Sequence, residues 1–144
     1  MKKYNNSRES GALKVYELYW DSYLKGDLEA FESTLGDTFE MIGSSESEVC
    51  HTKDDGIEFF KAQMHEVVGK TEMRNRQIDV LPVENLMLVN EQCKIYVLVA
   101  SDLPADRQDW NFYSKIRIST WLRETEEGKG SEFIIQIPIN TNNR

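Results

Sequence analysis

The chain has 144 residues, 40% hydrophobic and 29% charged, with 17 Lys and Arg against 25 Asp and Glu. That length suits one domain spanning 1–144, and the apolar content is enough for a core and too high for disorder. The net charge of −8 repels phosphate backbones and anionic lipid surfaces, so neither nucleic acid nor a membrane is an expected partner.

The first residues, MKKYNNSRESG, include two lysines but no apolar core, so no signal peptide is expected in them. No apolar run approaches the roughly 20 residues that a bilayer-spanning helix needs. The two cysteines, Cys50 and Cys93, do not make a disulfide framework. A reducing compartment, the cytoplasm, is the expected location. Residues 1–8 and 140–144 are polar and expected to be flexible.

A first helix is predicted from about residue 9. Leu13, Tyr16, Trp20, Tyr23 and Leu24 fall on one helical face, and Val15, Leu18 and Tyr19 widen it. Gly26 ends that helix, and Asp27 caps a second, short one over 28–34. A short strand is expected over 39–42, then a polar loop over 43–51. Thr52 caps a third helix, with Asp54 and Asp55 in the first turn, where the helix dipole favours negative charge. Its apolar face is Ile57, Phe60, Met64 and Val67, and Gly69 ends it.

Four strands follow, over 73–83, 86–100, 110–123 and 132–139. The second is the most informative. Its odd positions, Met87, Val89, Glu91, Cys93, Ile95, Val97 and Val99, are apolar except for one carboxylate. Alternation of this kind marks a strand with one face in a core. Helices followed by a meander of long strands give an α+β plan, with the helices on one face of an antiparallel sheet.

The stretch VYELYWDSYLKGDLEAFESTLGDTFEMIGSSESEV resembles the opening of SnoaL-like domains in the nuclear transport factor 2-like superfamily. It carries an aromatic helix, the Gly26-Asp27 break, a short helix, and Asp37-Thr38-Phe39 leading into a strand. The strand order after Lys53 and the entry at Trp110–Phe112 also fit, so the resemblance covers about residues 10–137. It implies a cone-shaped, strongly bent antiparallel sheet closed by three N-terminal helices, an interior pocket, and often a homodimer formed through the sheet. The chain is similar to SnoaL-like domains that stand ahead of output domains in bacterial signalling proteins. One departure stands out. Ser131 and Ile137 occupy the places where such domains commonly carry a last-strand tryptophan and a pocket histidine.

Glu91 is the sharpest single feature. A carboxylate on an apolar strand phase is either buried with a partner or displaced to solvent by a bulge. Arg117 is the partner expected for it, and the pair is read either as a structural ion pair or as the polar anchor of a ligand. Tyr113, Trp121 and Trp20 join Glu91 and Arg117 as expected ligand-binding residues. The acidic loop around Glu46, Glu48, His51, Asp54 and Asp55 matches no metal-ligand spacing and reads as solvated surface. His65 falls beside the apolar stripe and reads as exposed. No cofactor or metal is expected. The expected function is a non-enzymatic small-molecule-binding or sensory domain acting as a homodimer, with an apolar or aromatic ligand. The alternatives are a small lyase or isomerase using Glu91, and a purely structural dimerisation module.

Overall fold

The computed structural model describes residues 7–36, 39, 41–42, 49–98, 109–125 and 132–143. The elements are α1 (Ser7–Lys25), α2 (Leu28–Ser33), β1 (Met41–Ile42), β2 (Val49–Cys50), α3 (Lys53–Val67), β3 (Thr71–Val83), β4 (Leu86–Leu98), β5 (Trp110–Thr125) and β6 (Glu132–Asn143). The architecture is the expected α+β one. A single sheet of order β2-β1-β6-β5-β4-β3 carries the helices on one face. Every pairing is antiparallel except the short β1–β6 contact, where Ile42 meets Ile139 in parallel.

Local chemistry sets the helix ends. Gly26 takes φ +78°, the left-handed conformation that stops α1 without a Cβ clash. Asp27 accepts a hydrogen bond from Ala30 N at the start of α2. Thr52 accepts one from Asp55 N at the start of α3. Both caps satisfy amides that the first helical turn leaves without partners.

Three details differ from the sequence expectation. Val49 and Cys50 form a strand that pairs with β1, where a loop was expected. The last strand runs to Asn143, beyond the expected end at 139, because residues 140–143 pair with Ile118 to Lys115 of β5. Polar composition made that tail read as an end, but main-chain pairing does not depend on side-chain hydropathy. The third difference is a set of register shifts: on β3 between Arg74 and Gln77, between β4 and β5 at Ile95/Tyr96, and between β5 and β6 at Trp121/Leu122. An extra residue in one strand of a pair bends that strand and reverses which face the following side chains take.

The core lies between the sheet and the helices. Tyr16 and Tyr19 of α1, Phe31 of α2 and Phe60 of α3 pack over Val80, Met87, Val89 and Leu122. Phe31 stacks on Phe60 with ring centroids 4.4 Å apart, and Tyr19 lies 5.0 Å from Phe31. Aromatic pairs of this kind contribute about 0.5–1.5 kcal/mol beyond their buried area. Gly56 of α3 lets the helix approach Phe39 closely, since a Cβ there would meet the ring at 2.6 Å. Cys50 and Cys93 are both buried free thiols. Among the described residues no helix is long and apolar enough to cross a membrane.

Candidate functional site

The sheet has two faces of opposite character, and the expected site residues divide between them. The inner face looks at the helices. Along β4 its buried residues are Met87, Val89, Glu91 and Cys93. Their β5 partners in register are Leu122, Thr120, Ile118 and Ile116.

Glu91 is buried on this face, with its side chain fully shielded from solvent. Arg76 of β3 grips it with two donors, Nε to Oε2 at 2.5 Å and Nη2 to Oε1 at 3.0 Å. From the opposite side Tyr16 of α1 donates its hydroxyl to Oε1 at 2.5 Å. One carboxylate thus ties the first helix to two strands of the sheet. A buried charge is tolerated when it is both paired and hydrogen-bonded, and Glu91 has both.

The neighbours respond to that charge. Burial, then the charge of Glu91 and the hydrogen bond to it, push the Tyr16 hydroxyl well above the usual tyrosine range. The Arg76 charge and the Trp20 side chain work the other way, and they do not prevail. Burial first, and then Glu91, push the Cys93 thiol up to about 12. Burial works to lower Arg76, but its hydrogen bonds and attraction to Glu91 raise it overall. Tyr16, Cys93 and Arg76 therefore hold their protons across ordinary pH.

The expected Glu91–Arg117 pair does not form, and Arg76 takes that place. Register is the reason. Glu91 lies opposite Ile118, so Arg117 falls opposite Gln92 and projects from the other face, where it is exposed. Trp121 shares the outer face and lies opposite Leu88. Tyr113 sits at the register shift of β5 and is 71% exposed. Trp20 stays with Glu91 on the helix side, half-buried in the aromatic group of Tyr19 and Tyr23. The structure thus brings Glu91 and Trp20 to the inner side and Arg117, Tyr113 and Trp121 to the outer one. His65 lies on exposed α3 surface, 3.7 Å from Glu66.

Arg76 was not anticipated, although the sequence carries its signal. In β3 the inner-face residues are Met73 at one end and Ile78 and Val80 at the other, as their partners Ile95, Glu91 and Val89 show. An odd position followed by even ones requires a one-residue slip between them. Asn75 supplies it, with φ +54° in the left-handed region that asparagine tolerates better than most residues. The slip turns Arg76 inward while Arg74, two residues earlier, faces out.

The outer face is arranged in cross-strand rows. Arg74, Lys94 and Lys115 form one row, and Gln77, Gln92 and Arg117 the next. Asp79, Asn90 and Ser119 form a third, then Leu81, Leu88 and Trp121, and then Val83, Leu86 and Arg123. The second and third rows line a recess of about 830 Å³. Within it the Ser119 hydroxyl donates to Asn90 Oδ1 at 2.8 Å. Beyond the cationic row, the Arg74 guanidinium lies over the Tyr96 ring at 4.2 Å, and its Nε donates to Glu72 at 2.8 Å.

A single sheet with helices packed on one face is a small α+β architecture. The chain belongs to the SnoaL-like domain family, whose model matches residues 13–128. It is similar in structure to a putative dehydratase of the NTF2-like family from Streptomyces avermitilis, with 9% identity, 96% of this chain and 98% of that one covered, and a TM-score of 0.78. It is also similar to a ketosteroid isomerase-like protein from Erwinia carotovora atroseptica, with 12% identity, coverage of 96% and 98%, and a TM-score of 0.71. A third, an NTF2-like protein of unknown function from Pseudomonas putida, shares 11% identity over 92% of this chain and 84% of that one, with a TM-score of 0.68. At these identities the likeness is one of fold. No curated protein matches the sequence.

Proposed function

We propose that this chain is a non-enzymatic small-molecule-binding domain that acts as a homodimer. The observation that carries the reading is the state of Glu91. The inner-face carboxylate is enclosed by Tyr16 and Arg76, and both its oxygens are engaged. A general base must reach the proton it abstracts, within about 3.2 Å or through one water. Glu91 in this arrangement serves as a tie between helix and sheet. The recess on the outer face, lined by amide, hydroxyl and charged side chains, supplies space for a ligand. The dimer is proposed through the apolar rows of the same face, where Leu81 is 37% and Val83 42% exposed beside Leu86 and Leu88. An apolar strip of that kind is a reason to expect a covering surface.

The lyase or isomerase reading has one observation in its favour. A tyrosine hydroxyl and a carboxylate meet inside the cone, in a fold shared with proteins described as a putative dehydratase and a ketosteroid isomerase-like protein. The two readings separate in one experiment. The full chain is screened by thermal shift against a metabolite library and assayed with a Δ5-3-ketosteroid for isomerisation. We expect ligands that raise Tm equally in wild type and Tyr16→Phe, with no steroid turnover. Turnover that Tyr16→Phe abolishes in a folded protein would overturn the binding reading.

A further inference from the structure

Lys94 of β4 lies directly opposite Lys115 of β5, and Arg74 of β3 lies on the other side of Lys94. Three cations therefore share one row of the outer face. Like charges directly opposite on neighbouring strands destabilise a sheet. Glu72 offsets the charge of Arg74. Among the described residues, no carboxylate forms an ion pair with Lys94 or Lys115. Arg117 adds a further cation one row on. This concentration of positive charge sits on a chain of net charge −8. The fold thus keeps a local repulsion on a surface whose overall charge runs the other way.

The adjoining recess has a matching chemistry. Gln77 and Gln92 each offer a carboxamide with donors and an acceptor, and Asn90 offers its amide donors. Asp79 at the far side of the lining accepts from hydroxyls and keeps the anionic group at the opposite, cationic edge. Asn90 is held by the Ser119 hydroxyl on its oxygen, which leaves its amide hydrogens directed elsewhere. Carboxamides that donate and accept side by side suit vicinal hydroxyl groups. Lysine and arginine at one edge suit a phosphate or carboxylate.

We propose that the outer face of the sheet is a binding site for a small hydroxylated anion, with its charged group at Lys94, Lys115 and Arg117 and its hydroxyls on Gln77, Asn90 and Gln92. The inference rests on the reading of the chain as a binding domain and names the ligand class for it. The anion neutralises the lysine pair, so ligand binding and sheet stability are coupled. The dimer surface proposed above uses the apolar rows of Leu81 and Val83 and leaves the cationic row open.

The test is calorimetric titration of the full chain with glucose 6-phosphate, gluconate and glucose, in wild type and in the double variant Lys94→Gln/Lys115→Gln. At least one of the two anions should bind saturably, with a dissociation constant below ~1 mM, while glucose should not. Phosphate and carboxylate headgroups are distinguished by which of the two anions binds. The double variant should bind at least about tenfold more weakly, because two of the three cations that hold the charged group are gone. Without ligand it should melt at a higher temperature than wild type, because the repulsion is gone. That second readout also shows that the variant is folded. Failure of both anions to saturate, unchanged affinity in the double variant, or a lowered Tm without ligand would each overturn the proposal. If the double variant instead loses self-association with anion affinity unchanged, the row belongs to an interface with a second copy and the proposal falls. A metabolite library that shifts the Tm of both proteins alike, with neither anion binding, removes this inference and leaves the binding-domain reading standing.

Discussion

Glu91 is a buried acid on β4 whose two oxygens are held from β3 and from α1. An acid on an apolar strand phase needs compensation, and that requirement holds in the structure through Arg76 and Tyr16. The two partners carry different costs. Replacing Arg76 by Met leaves a buried carboxylate without its countercharge, a loss of about 3–5 kcal/mol, toward the lower end because Arg76 is 27% exposed. Tyr16→Phe removes one hydrogen bond to a charged group and costs about 1.5–3 kcal/mol. The double variant Glu91→Met/Arg76→Met should be more stable than Arg76→Met alone, since no unpaired charge remains. Urea unfolding of the set closes the cycle, and a double variant no more stable than the single one would contradict the ion-pair account. The same cluster sets an alkaline limit. Cys93 is raised from 9.0 to about 12, so the folded chain holds this proton more tightly than the unfolded chain does. Its contribution is complete below pH 9 and is lost as pH rises from there toward 12, by at most about 1.4 kcal/mol per pH unit. Tyr16 and Tyr19, both raised, add the same sign of effect above their ordinary value of 10.0. Stability should therefore fall through the alkaline range, and Cys93→Ala should flatten the first part of that fall. An unchanged slope between wild type and Cys93→Ala in pH-resolved unfolding would refute it.

At the level of elements, the decisive device is the slip in β3. Asn75 at φ +54° inserts one residue against β4, and only the residues after it carry Arg76 and Ile78 to the inner face. Valine at position 75 is both β-branched and forced into a left-handed conformation, which costs about 1–2 kcal/mol. Glycine at that position relieves the conformation and should leave stability near wild type. Thermal melts of Asn75→Val and Asn75→Gly should fall in that order, and equal melts would mean that the slip does not depend on this conformation. Element identity and order were readable because they follow from periodicity and capping: the Asp27 and Thr52 caps and the Gly26 stop stand where the sequence puts them. Register was not. Strand phase alone pairs Arg117 with Glu91, but phase does not say which residue faces which on neighbouring strands. A shift of one position moves Arg117 to the opposite face. The odd-to-even change between Met73 and Ile78 was visible in the sequence and marks the slip. A count that assumes an unbroken period of two passes over it. The β1–β2 pairing was hidden for another reason: two residues per strand are too few for any period to register.

For the whole molecule, the two sheet faces divide the work. The helices pack on the inner face, and Glu91, the one buried carboxylate among the described residues, holds α1 to β3 and β4. The outer face, where recognition is proposed, changes from cationic through polar to apolar along the strands. The apolar end carries Leu81, Val83, Leu86, Leu88 and Trp121. Each isolated exposed apolar residue is ordinary on a protein surface, but a contiguous strip on one face is not. A two-fold pairing of these strips is self-complementary, because the same patch meets itself and apolar contact needs no matched charges. It would also bring two β3–β4 hairpin ends together, next to Arg8 of α1, which donates to the Glu84 carbonyl. Sedimentation velocity of the wild-type chain at micromolar concentration should show a dimer. Leu81→Glu and Val83→Glu should each shift it to monomer, since a carboxylate at a self-pairing patch is placed against its own copy. Both positions lie outside the core, so circular dichroism should show the helix and strand content unchanged. A wild-type monomer, or a dimer indifferent to both glutamates, would remove the apolar rows as the interface.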